Sequence, residues 1–340
     1  MKGIYMLDRK AARLFIISFL LYLGLSMAAG AVLTKSSSYT LMLLFNAFVI
    51  SVPAFLMPAL FFRSRNELEP YRLPDGRLAF IAVLMGVGCM FLNLALVLFG
   101  QFVTYGIEIS STALNVRESL EGSSIWIMLL TVVLIPAVSE EFLMRGTLLE
   151  VWRRTSPRGA VILTAVLFGL IHLAPSNFLV YFAMGVLFAE IYLLTRNVWL
   201  TVIVHAMNNL LSVLSAQYYL AHAGTPEFEA AQETAISQGQ LFFMFLIFAL
   251  IAAAVIVPLY YLMRSVCRKN GIGAYALPAL GSEEASVKVS AEGEASSPAA
   301  AQIEEQRGLF RQPLVWVALI TLIALNVLFG LIELGVIKLG

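Results

Sequence analysis

Charge is scarce in this sequence. Only 13% of the 340 residues are Asp, Glu, Lys or Arg, about half the roughly 25% of an ordinary soluble domain. Hydrophobic residues make up 60%, and the mean hydropathy is +0.87. A water-facing surface cannot be built from that supply, which excludes a soluble globular fold. The net charge of +1 gives no global field for nucleic acid. Cysteine is scarcer still. Cys89 and Cys267, far apart in the chain, exclude a disulfide framework and every Cys-rich zinc module. Histidine occurs three times, at His172, His205 and His222.

Apolar sequence is what the chain has in abundance. About 20 apolar residues cross about 30 Å of hydrocarbon, and runs of that kind fall near 12–34, 41–62, 78–104, 124–149, 159–175, 177–195, 198–219, 240–263 and 314–337. Backbone groups in lipid must bond internally, so these nine candidate spans are expected to be α-helices. The alternating pattern of a membrane β-barrel is absent. The expected fold is an all-α, polytopic transmembrane bundle, with eight core helices and one C-terminal helix. The first run follows Lys2, Arg9, Lys10 and Arg13 and is longer than the 7–15 apolar residues of a signal peptide, so it is read as a retained helix. Lys and Arg cluster at alternate connections, which places the N-terminus in the cytoplasm and the C-terminus outside. With no targeting tail in view, the bacterial plasma membrane is the expected location.

Segment 264–311 differs in kind. It is rich in small, polar and acidic residues and cannot bury enough surface to fold. The organisation expected is N-terminal helices over 1–119, a core over 120–219, an eighth helix within 220–263, a disordered cytoplasmic linker over 264–311 and the last helix within 312–340. No internal repeat of the transporter kind is present.

Ionisable groups inside membrane helices cost several kcal/mol, about 2.5–3.5 on insertion scales, unless paired or wet. Four places stand out, the fourth being Glu190. In Ser139-Glu140-Glu141-Phe142-Leu143-Met144-Arg145, Glu141 and Arg145 are four apart and share a helix face, so they can pair. Glu140 points about 100° away and stays free of that pair. Phe168-Gly169-Leu170-Ile171-His172 ends an apolar run. His205-Ala206-Met207-Asn208-Asn209 lies inside another, with His205 and Asn209 on one face. Each alone has a bland explanation: a snorkelling carboxylate, an interfacial ring, hydrogen-bond glue between helices. Depth argues for the set. Glu140 lies thirteen residues before Arg153, His172 fourteen after Arg158 and His205 nine after Arg196. At 1.5 Å per residue these are about 20, 21 and 14 Å from the basic flanks, so the three can meet in one layer. His222 falls in an expected external loop. Glu190 lies near Arg196 at a cytoplasmic end, and both are read as structural.

A carboxylate, two imidazoles and a carboxamide within a bundle suit amide hydrolysis: a base for water, and N–H donors for the oxyanion. Two His and a Glu are also a familiar zinc set, which would use Glu140, His172 and His205. The H-E-x-x-H spacing is missing, and spacing does not decide. The reading adopted is glutamate-based hydrolysis with no metal required.

Glu140-Glu141-x-x-x-Arg145, Phe168-x-x-x-His172 and His205-x-x-x-Asn209, in that order on three apolar segments, resemble the CAAX protease and bacteriocin-processing (CPBP, or Abi) family. These intramembrane endopeptidases are related to the type II CAAX prenyl protease. The resemblance covers about residues 120–215. It implies that Glu140 and His172 activate water and that His205 and Asn209 hold the oxyanion. Glu141 and Arg145 would brace the helix, with Glu141 near the water, and Phe168 would pack the site. Members are often labelled metalloproteases. The resemblance further implies a peptide or membrane-protein substrate, prenylated in the eukaryotic members, and a lipid bilayer as setting. Two rival classes stay open: a proton-coupled transporter built on the same buried groups, and a catalytically silent bacteriocin-immunity or scaffold protein.

Overall fold

The structure, a computed structural model, describes residues 71–106, 124–153, 156–222, 236–272 and 313–334, with isolated positions at 44, 47, 51, 52, 225 and 226. These residues form seven helices in chain order: α1 Gly76–Val103, α2 Ile125–Trp152, α3 Pro157–Ile171, α4 Phe178–Thr195, α5 Val198–His222, α6 Gln238–Lys269 and α7 Pro313–Glu333. A single 3-10 turn, Pro175–Asn177, leads into α4. No strand occurs among the described residues. The chain is an all-α, multi-pass integral membrane protein, and five of its described helices are long and apolar enough to cross a bilayer.

The helix ends follow ordinary chemistry. The Asp75 carboxylate accepts from the Arg77 N–H at the start of α1, at 2.8 Å. Ser156 caps α3 through the Gly159 N–H at 3.2 Å, with Pro157 in the first turn, where its missing N–H costs nothing. Ser237 and Gln240 make a capping box on α6. Between α4 and α5, Arg196 takes a left-handed conformation at φ 55°, and the Asn197 side chain accepts from the Leu200 N–H at 3.2 Å.

Two elements depart from expectation. The run near 159–175 forms a helix of 15 residues, about 22 Å against the roughly 30 Å of a bilayer core. Pro175 and the turn before it stop the helix partway, which leaves His172 at a buried helix end. Residues 264–269, expected at the start of the linker, are helical. Arg264, Arg268 and Lys269 ride on α6, which starts at Gln238, while 220–222 belong to α5. The two N-terminal runs lie outside the described residues apart from the isolated positions, as does 273–311 of the linker.

Small residues let the helices approach closely. A Cβ at Gly86 of α1 would collide with Met207 of α5, and one at Gly185 of α4 would lie 2.8 Å from the Ala165 Cα of α3. The largest apolar cluster fills the space between α1, α2, α3, α4 and α5, with Trp152, Phe168, Phe188 and Tyr192 among its buried rings. One end is tied by charge. The buried Glu150 of α2 accepts from Arg153 at 2.7 and 2.8 Å and from the Tyr192 hydroxyl at 2.7 Å, and pairs with Arg196 at 2.6 Å. Glu150, rather than Glu190, is therefore the carboxylate that holds Arg196.

Candidate active site

The acidic motif sits on an unusual helix. In α2, a π-helical stretch over Leu129–Leu134 precedes the α-helical Ile135–Glu141, and a second one over Phe142–Leu149 follows. Thr147 Oγ1 donates to the Phe142 carbonyl five residues back, at 3.0 Å, in the same wide register. Such stretches recur at functional sites because they re-aim side chains and free backbone carbonyls. Pro136 contributes to this. It has no N–H to offer the carbonyl four residues before it, that of Val132. Asn209 of α5 reaches across and donates its Nδ2 to that oxygen at 3.1 Å.

Glu141 and Arg145 form a fully buried pair, with Nη1 to Oε1 at 2.8 Å. A second guanidinium nitrogen donates to the Gly185 carbonyl at 3.1 Å. The guanidinium carbon lies 4.6 Å from the Phe168 ring centroid and 5.2 Å from that of Phe188, where ring quadrupoles favour a cation. The same Glu141 Oε1 lies 3.0 Å from His205 Nδ1, so one carboxylate braces its own helix and orients a ring on α5.

Hydrogen-bond roles fix the rest. His172 Nδ1 lies 2.6 Å from the Phe168 carbonyl, an acceptor only, so Nδ1 carries the proton. His205 Nδ1 faces a carboxylate and is protonated for the same reason. In the neutral form of each ring, Nε2 is then the bare nitrogen. Both bare atoms face Glu140: Oε2 is 3.8 Å from His172 Nε2 and 4.0 Å from His205 Nε2. Three acceptors converge with no hydrogen of their own between them, at separations too long for direct bonds and right for a shared water. Access is graded. The side chains of Glu141 and Arg145 are 0% exposed, Glu140 11% and His172 21%. The cluster is most open at His172 and closed at Glu141 and Arg145.

Aromatic rings set the imidazoles. Tyr181 stacks on His172 with centroids 3.7 Å apart and 14° between planes. Phe188 stacks on His205 at 5.2 Å, and Phe168 meets both imidazoles edge-on. Glu140, Glu141, Arg145, Phe168, His172 and His205 are thus brought together. Asn209 is bonded to Val132, one turn along α5 from His205. His222 is the last residue of α5 and packs on Tyr218, away from this cluster. Ser139 turns from Glu140 to meet Ser51, Oγ to Oγ at 3.2 Å.

Residues 122–211 match the family model described as Type II CAAX prenyl endopeptidase Rce1-like. The core segment is Rce1-like. No curated protein and no solved structure matches the chain. The Rce1-like segment holds all seven motif residues, and also Pro136, Tyr181 and Phe188, which sequence reasoning passed over. Pro136 carried a readable signal, a helix-breaking residue four positions before Glu140. Tyr181 and Phe188 carried none, since aromatic residues are common throughout the apolar runs. The likeness to the CAAX-type intramembrane protease family is confined to residues 122–211, about a quarter of the chain.

The atom types at Glu140, His172 and His205 suit zinc. Bonds of 2.0–2.1 Å to a tetrahedral ion would hold the donor atoms about 3.3–3.4 Å apart, closer than the 3.8 and 4.0 Å found. Among the described residues no group of His, Cys, Asp or Glu is placed to hold a metal. No step below is routed through one.

Proposed function

We propose that the Rce1-like core is an endopeptidase in which Glu140 is the general base. The supporting observation is the convergence of Glu140 Oε2 and two Nε2 atoms, 3.8 and 4.0 Å apart, at a half-buried helix end. A water held there gives a proton to Glu140 as its oxygen attacks the substrate carbonyl carbon. The second N–H of Asn209 donates to the oxyanion, and His205, taking up a proton from solvent at its bare Nε2 with Glu141 as counter-ion and giving it back when the oxyanion collapses, donates to the same oxygen. As the C–N bond breaks, the proton passes from Glu140, or through His172, to the leaving nitrogen. The products are a carboxyl and an amine, and no electron is gained or lost. Glu141, Arg145 and Phe168 hold the rings in place. The substrate is a membrane-associated peptide with a C-terminal CAAX-like or prenylated motif.

The test uses full-length protein in nanodiscs with peptides that carry such a C-terminus, prenylated and bare. Glu140→Gln is expected to lower kcat by about 10²–10⁴, with His205→Ala comparable. Full turnover by Glu140→Gln overturns the reading. Proton flux in liposomes without cleavage favours a transporter instead.

A further inference from the structure

The C-terminal helix lies outside the Rce1-like segment, yet it packs against the turn that carries His172. Leu322 of α7 is fully buried, and Leu319 and Leu325 pack on the main core. Gly330 sits over Pro175, 3.6 Å from where its Cβ would be. In the middle of this face is Asn326, 8% exposed in a largely apolar helix, a position where a carboxamide is expensive unless it is bonded. Its Nδ2 donates to the Leu322 carbonyl at 2.9 Å and to the Leu170 carbonyl at 2.9 Å.

Leu170 is in the last turn of α3, where helix carbonyls lack main-chain donors. Within the turn the same carbonyl accepts from the backbone N–H of His172 itself and from the Leu173 N–H at 3.2 Å. Leu173 is held at φ 49°, a left-handed conformation that disfavours any residue with a Cβ. Strained backbone of this kind persists only where its surroundings over-determine it. His172 lies inside this turn. Backbone bonds close the turn from within, and the Asn326 side chain clamps it from α7.

We propose that Asn326 is a positioning residue for the hydrolytic site: by holding the Leu170 carbonyl it fixes the turn that aims His172 at Glu140, so that the C-terminal helix is part of the working site. This rests on the hydrolytic reading above. Asn326 touches no reacting atom. It acts through Leu170, Leu173 and His172, and its loss affects the geometry of water activation more than the binding of peptide.

The experiment uses the full chain in nanodiscs, labelled with ¹⁵N at its three histidines. Asn326→Leu removes the donor at similar volume and keeps an apolar helix. Expected are a fall in kcat of roughly ten- to a hundredfold, in line with the cost of small misplacements, and a KM within about twofold. The imidazole signals of His172 shift or broaden while those of His222 stay. Should that variant fold poorly, Gly330→Val, which keeps Asn326 and pushes α7 off Pro175, is expected to show the same loss and the same His172 response. A folded Asn326→Leu protein with unchanged kcat and unmoved His172 signals overturns the proposal. Glu140→Gln, run alongside, separates the two ideas: if it is inactive while Asn326→Leu is normal, only the positioning role falls; if it is fully active, the hydrolytic reading falls first.

Discussion

Arg145 offers the sharpest test of how the site is held. It is 0% exposed and makes two hydrogen bonds, to Glu141 at 2.8 Å and to the Gly185 carbonyl at 3.1 Å, between two aromatic rings. Arg145→Met fills most of the volume but leaves the Glu141 carboxylate buried with His205 as its one remaining bonded side chain. Breaking a buried pair from one side costs about 3–5 kcal/mol, because the surviving charge has no counter-charge. Glu141→Gln leaves the guanidinium unpaired and carries a similar cost. The double variant removes both charges, and an apolar replacement of a whole buried pair is often neutral, so its loss should be at most about 1–2 kcal/mol, far from the sum of the singles. Thermal unfolding in detergent, followed by helical circular dichroism, measures all three. Activity should part company with stability in the double variant. With Glu141 gone, His205 loses the carboxylate 3.0 Å from its Nδ1, and turnover stays low although the fold recovers. Additive losses, or a recovered fold with recovered turnover, would show that the pair does not brace and orient the site as described.

That partition between scaffold and chemistry was partly legible in the residues. Glu141 and Arg145 at i and i+4 on an apolar helix have few ways to lower their cost except each other, and the helix places them together. The depths of Glu140, His172 and His205 could be counted from basic flanks, because 1.5 Å per residue converts sequence to height, and the three groups do meet. Counting height says nothing about azimuth. That Glu141 also turns towards His205, and that Tyr181 lies flat on His172, depends on how α2, α4 and α5 rotate against one another. The packing of Gly86 and Gly185 helps set that rotation, and no single helix encodes it. The π stretches of α2 leave no reliable mark in composition, since Leu, Val and Phe suit either register. The C-terminal helix reads as an appendage because a lone Asn in an apolar run looks like glue for any neighbour. Only the assembled bundle shows that its neighbour is the His172 turn.

Two further outcomes follow from the same geometry. Tyr181→Phe should leave kcat near that of the parent, because the 3.7 Å stack on His172 needs a ring and not a hydroxyl. Tyr181→Leu should lower it about three- to tenfold, the equivalent of the roughly 0.5–1.5 kcal/mol that a ring pair contributes. Equal losses in both variants would assign the work to the hydroxyl. Chelation addresses the second point. Both imidazoles spend Nδ1 on fixed acceptors, Phe168 and Glu141, and aim Nε2 at Glu140. Metal-binding histidines use the same arrangement of an anchored ring with a free nitrogen, so atom type alone cannot separate water from zinc. Distance can. A metal would shorten both separations by about half an ångström, whereas a water sits comfortably at the spacing found. Prolonged dialysis of the pure protein against a strong chelator is therefore expected to leave peptide cleavage unchanged, with less than one equivalent of zinc per chain by elemental analysis. Loss of activity that zinc alone restores, together with stoichiometric metal that Glu140→Gln releases, would place the ion between those three side chains and make Glu140 a ligand instead of a base.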